Sequence, residues 1–146
     1  MKSASDEVAP PLAPWMKALL WFVGGYNLLA GVGMLAFYHE GYKLLGIVKP
    51  PLNLPIQLVG VLVGLFGVGY WLVAANPIEN RNLLMLCFWS KALGSVLGLY
   101  YWAAGRLPPV FIVVLFFSDI VYLPPFALIL RRLNRARTME RGRSSK

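Results

Sequence analysis

Lys91 in "FWSKALGSVLG" and Asp119 in "FFSDIVYLPP" each stand inside a run of otherwise apolar residues. A charge in such a setting costs several kcal/mol unless it is paired, and where one occurs it often marks a proton relay, a polar ligand site or an acid/base pair. Two opposite charges also offset each other's cost, so the same residues serve as a structural pair that fixes helix register. Residue type alone leaves both roles open. Asn27 lies in the middle of another apolar run, Ser90 precedes Lys91, and Tyr122 shares a helical face with Asp119 three residues on. These five residues, Lys91, Asp119, Asn27, Tyr122 and Ser90, form the candidate intramembrane polar site. A buried lysine also invites Schiff-base chemistry, but one acid among four short spans gives that little support.

Other chemistry is thin. One histidine, His39, and one cysteine, Cys87, leave no disulfide within the chain and no Cys- or His-rich metal cluster. No phosphate loop, Ser/His/Asp set or nucleic-acid-binding aromatic patch stands out. No catalytic residue, metal or cofactor is therefore assigned.

The elements that hold the polar residues follow from composition. Of the 146 residues 58% are hydrophobic and only 14% charged, against about 25% charged in a typical soluble domain. The mean hydropathy is +0.62. Four apolar stretches, 16–38, 54–75, 83–102 and 110–130, reach the roughly 20 residues that cross a bilayer as a helix. None alternates with a period of two, which argues against strands. Breakers separate them: Pro50, Pro51 and Pro55, then Asn76 and Pro77, then Gly105, Pro108 and Pro109. The first stretch is too long for a cleavable signal and follows Asp6 and Glu7.

Charge sets the expected orientation. With both ends inside, the cytoplasmic face carries ten basic residues: Lys2, Lys17, Arg81 and the seven from Arg131 to Lys146. The opposite face carries three, Lys43, Lys49 and Arg106. Positive charge favours the cytoplasmic side, so the expected fold class is an all-α, integral membrane, antiparallel four-helix bundle, N-in and C-in. Residues 1–14 form a cytoplasmic tail, 15–130 the four-helix domain, and 131–146 a basic tail suited to anionic lipid. A basic tail also suits nucleic acid, but directly after an apolar run it is better explained by the membrane, and no nucleic-acid partner is expected. The connector 38–55 has the length for a short interfacial segment. Trp15, Trp71, Tyr100, Tyr101 and Trp102 lie near span ends, where amphipathic rings favour the interface.

Small residues predict the packing. Gly60, Gly64 and Gly67 line one face of the second span, Ser90, Gly94 and Gly98 make a stripe on the third, and Gly24, Gly25, Gly31 and Gly33 punctuate the first. In lipid such stripes let backbones approach, within one chain or in a homo-oligomer. Pro124 and Pro125 deprive the carbonyls of Ile120 and Val121 of their donors and predict a helix break one turn from Asp119. Counting from span ends at about 1.5 Å per residue places Lys91 and Asp119 within about 3 Å of the same depth.

Taken together, "GVGYWLVAANP", "SKALG", "GRLP" and "SDIVYLPPFALIL" resemble an uncharacterised family of small bacterial four-helix membrane proteins related to the DoxX-like group. The resemblance spans residues 26–130 and rests on Gly69, Tyr70, Ala75, Pro77, Lys91, Gly94, Pro108, Asp119, Pro125 and Phe126. It implies a four-helix bundle in the inner (plasma) membrane with Lys91 and Asp119 as signature positions. Some DoxX-like relatives accompany quinone-linked oxidoreductases, which implies a membrane oxidoreductase as one class of partner.

Three functions compete. A non-catalytic accessory subunit or lipophile-binding bundle fits the glycine stripes and the absence of a nucleophile set. An oligomeric proton-coupled transporter would use the two charges, although no inverted repeat is visible. A lipid-modifying enzyme like the sterol-isomerase (EXPERA) four-helix proteins would rely on more than one buried acid, and Asp119 is the only acid within a span.

Overall fold

The computed structural model describes residues 12–144, with the side chains of 140–144 excepted. Among the described residues all regular structure is helical. Helix α1 (Pro14–Ala36) is followed by the short α2 (Tyr38–Leu45), then α3 (Leu54–Ala75), α4 (Arg81–Ala103), α5 (Val110–Ser118) and α6 (Leu123–Ser144). A single 3-10 turn, Ile120–Tyr122, joins α5 to α6. Helices α1, α3, α4 and the segment Val110–Met139 are each long and apolar enough to cross a membrane, the make-up of a multi-pass membrane protein. The tail predicted at 1–14 lies mostly outside the described residues.

Local chemistry explains the boundaries. Pro14 and Pro55 stand in the first turns of α1 and α3, where a missing amide hydrogen deprives no partner. Gly46 ends α2 with φ of 65° and Gly105 turns the chain after α4 with φ of 69°, left-handed conformations that other residues rarely take. The connector 38–55 holds α2, whose Tyr38, Tyr42 and Leu45 are half-buried while Glu40, Lys43 and Leu44 are exposed. Residues 131–144 are helical, as the second part of α6. Arg, Leu, Ala, Met and Glu are good helix formers, and no glycine interrupts them before Gly142.

The helix break falls earlier than the prolines themselves. Pro124 and Pro125 occupy the first turn of α6, and the irregular residues are Asp119 to Tyr122. A proline fits the start of a helix but clashes with the carbonyl four residues back. The disruption is therefore displaced onto the preceding turn.

The apolar core gathers at one end. Leu12, Met16, Leu20 and Val23 meet Tyr70, Val73 and Ala74 of α3, Leu84 and Cys87 of α4, and Phe126, Ile129 and Leu133 of α6. Helix α1 packs chiefly on α3, with Gly24 against Gly67 and Gly31 against Gly60 and Gly64. On the other side α4 packs on α3, α5 and α6, with Gly98 against Phe111 and Leu115.

Candidate functional site

The polar residues collect above the core. Along α4 the buried positions are Leu84, Cys87, Lys91, Ser95 and Gly98, spaced at three and four residues as one helical face requires. Lys91 therefore points inward with only 7% of its surface exposed. Its ammonium meets two acceptors on the fourth span, donating to Asp119 Oδ1 at 2.8 Å and to the Ser118 carbonyl at 2.7 Å. The Tyr122 ring lies 5.5 Å from the same nitrogen, within cation–π range.

The broken helix makes this arrangement. In an unbroken helix the Tyr122 amide would donate to the Ser118 carbonyl four residues back. Here it donates to the Asp119 carbonyl instead, at 3.2 Å, and the Ser118 carbonyl is left for Lys91. The Asp119 amide keeps its bond to the Leu115 carbonyl at 3.0 Å, so α5 delivers the aspartate at its last regular turn. Ser118 Oγ donates to Asp119 Oδ2 at 2.7 Å. Both carboxylate oxygens thus accept a hydrogen bond, and Asp119 retains 27% of its side-chain exposure.

Asn27 joins from α1. It is buried, its Nδ2 donates to the Val23 carbonyl at 2.9 Å, and it lines a cavity of about 60 Å³ with Val63, Phe66, Tyr70, Cys87, Ser90, Lys91 and Asp119. That volume admits a few waters or one small polar group. On the flank of the site a second, apolar groove of about 560 Å³ opens between α1 and the break. Trp15, Leu19 and Phe22 form one wall, Val121, Tyr122 and Pro125 the other. Tyr122 therefore stands between the groove and the ammonium.

The five residues singled out in the sequence do not hold equal places. Lys91 and Asp119 are bonded, Asn27 and Ser90 border the cavity, and Tyr122 contributes its ring. Ser90 is exposed overall and makes no side-chain hydrogen bond among the described residues. Along the stripe Ser90–Gly94–Gly98 the contacts differ: Ser90 borders the cavity, Gly98 meets Phe111 and Leu115, and a side-chain carbon on Gly94 would meet nothing within 4 Å among the described residues. The inward face of α4 is set by Lys91, Ser95 and Gly98, which turns Gly94 away. Gly60, Gly64 and Gly67 all face α1. The Trp71 indole lies against Gly24 and donates to the Trp21 carbonyl at 3.0 Å.

Sequence reasoning missed Ser118, whose carbonyl and hydroxyl both serve the pair. Its signal was available in Pro124 and Pro125, which displace the irregular turn back toward residue 118. Tyr70 and Cys87 were also missed as cavity residues, being indistinguishable in the sequence from ordinary packing. Ser95, one turn beyond Lys91, is buried with its hydroxyl unpartnered. Comparison with known proteins finds no match among family models, curated proteins or solved structures.

Proposed function

We propose that this chain is a small DoxX-like bundle of four antiparallel spans in the bacterial inner membrane, both ends cytoplasmic, that binds a lipophile without turning it over. The single observation behind this reading is the engaged Lys91–Asp119 pair beside a cavity of about 60 Å³. The lysine gives two of its hydrogens to fixed acceptors, and both aspartate oxygens already accept bonds. Neither group is a free nucleophile or an idle base. The cavity suits the polar head of an amphiphile, and the groove past Tyr122 suits its apolar body. Such a protein serves a partner, a membrane oxidoreductase being the class implied by the resemblance, and its basic end rests on anionic lipid.

Native mass spectrometry of the protein extracted with its membrane lipids tests this. The expected result is a co-purifying lipophile that is lost in Lys91→Met and in Asp119→Asn. Equal retention in both variants and the parent would reject the reading. A second reading, transport by an oligomer, draws on Gly94, where an added side-chain carbon would meet nothing within 4 Å among the described residues. Proton-dependent liposome flux abolished by Asp119→Asn would favour it instead.

A further inference from the structure

A second polar hollow lies far from the ion pair, where α4 begins and α6 leaves the core. It has a volume of about 250 Å³ and is lined by Arg81, Asn134, Arg137 and Thr138. Leu133, fully buried, is the last core residue on α6, so the hollow opens immediately past the apolar layer. We infer that this hollow is a binding site for a phosphate group, carried by an anionic phospholipid or free in solution, gripped between Arg81 and Arg137.

The arginines are not equivalent. Arg81 is fixed across the two helices: its Nε donates to Asn134 Oδ1 and its Nη1 to Asn82 Oδ1 at 2.9 Å. A guanidinium has five N–H donors, so three remain for a ligand, already oriented. Thr138 Oγ1 donates to the Asn134 carbonyl at 3.0 Å, which leaves its oxygen turned to local use and the cationic character to the arginines. Arg137, one turn beyond Asn134, makes no ion pair or hydrogen bond among the described residues. Glu79, two residues before Arg81, is exposed and pairs with neither. Two guanidinium groups converging on one hollow, with no carboxylate in its lining among the described residues, match the planar, forked geometry that recognises phosphate. The position just outside the apolar layer is where the headgroup phosphate of a bilayer lies.

The inference rests on the anionic-lipid reading of the basic end, not on the Lys91 site, and it narrows a diffuse attraction to four residues. The test uses the full chain in detergent and counts retained lipid by native mass spectrometry, with phosphatidylglycerol and phosphatidylcholine as probes. The parent is expected to retain phosphatidylglycerol in preference, and Arg137→Gln, which breaks no ion pair or hydrogen bond among the described residues, to weaken that retention about tenfold. Arg141→Gln/Arg143→Gln/Lys146→Gln, which removes the last three basic charges and keeps Arg81, Asn134, Arg137 and Thr138, is expected to keep the preference. Millimolar inorganic phosphate then assigns the source. Displacement of the lipid, with the same dependence on Arg137, supports the site with free phosphate as its ligand; no displacement supports the lipid. Unchanged retention in Arg137→Gln overturns the site, whereas loss in the triple variant alone leaves only diffuse tail attraction and overturns it as well.

Discussion

The contact between α1 and α3 and the contact between α4 and the fourth span hold their helices by opposite means. The first is made of absence: Gly24, Gly31, Gly60 and Gly67 let one backbone approach the other, and a side-chain carbon on Gly67 would sit 2.7 Å from the Gly24 carbonyl. The second is made of charge, with Lys91 spanning to Asp119 and Ser118 across a broken helix. Close glycine contact gains dispersion and tolerates no added volume. A paired charge tolerates volume but not the loss of its partner. The two halves of the bundle should therefore fail under different substitutions.

The largest effect is expected at Gly31. Its new carbon would lie 2.5 Å from the Gly60 carbonyl and 2.8 Å from the Gly64 amide, and both neighbours are backbone. Gly31→Val should destabilise the protein by at least about 3 kcal/mol, read as loss of the folded fraction in detergent titration. A cost below about 1 kcal/mol would mean that α1 and α3 are not in register as described.

Next comes the charged contact. Lys91→Met keeps the bulk, strands the carboxylate and should cost on the order of 2–4 kcal/mol. Adding Asp119→Leu should restore more than half of that, since a buried pair replaced by apolar residues is often neutral. A double variant as unstable as the sum of the single ones would break the comparison, because the charges would then act independently.

Smaller is the effect of Pro124→Ala/Pro125→Ala. Restored amides let the helix propagate back through Tyr122, whose hydrogen bond would return to the Ser118 carbonyl. Lys91 then loses one acceptor, at about 1 kcal/mol, and the Tyr122 amide should gain protection from hydrogen exchange. Unchanged exchange at Tyr122 would show that the prolines do not cause the break.

The smallest effect separates two glycines on one helix. Gly94→Ala should be neutral or stabilising by up to about 1 kcal/mol, because no atom waits there. Gly98→Ala would meet Leu115 at 3.0 Å and Phe111 at 3.2 Å and should cost more. Equal costs, measured in the same detergent, would show that the Gly94 face is covered by another chain.

Much of this was legible in the sequence, and for identifiable reasons. Span length and the absence of alternation are properties of composition, so the four apolar helices follow directly from runs such as 54–75. Gly24, Gly31, Gly60 and Gly67 were legible as packing residues because lipid offers little other reason for them, whereas Gly33 of the same α1 run meets nothing within 4 Å. The choice of neighbour was not, since Gly94 and Gly98 are alike until the inward direction of α4 is known. That direction is set by Lys91, and Lys91 is placed by the free Ser118 carbonyl, a backbone group without any residue signature. The end of the fourth span at 130 was read from the onset of charge, but helix propensity ignores that onset and carries α6 on to Ser144.

That last continuity has a mechanical consequence. Helix α6 starts at the 3-10 turn beside the ion pair and runs 22 residues, roughly 33 Å, without a breaker before its final turn. It is a lever with its pivot at Asp119 to Tyr122. A tilt of about 10° at that turn would move Asn134 and Arg137, about halfway along the helix, through roughly 3–4 Å, enough to part them from Arg81. A tilt of α6 at the break would thus be felt in the spacing of Arg81 and Arg137.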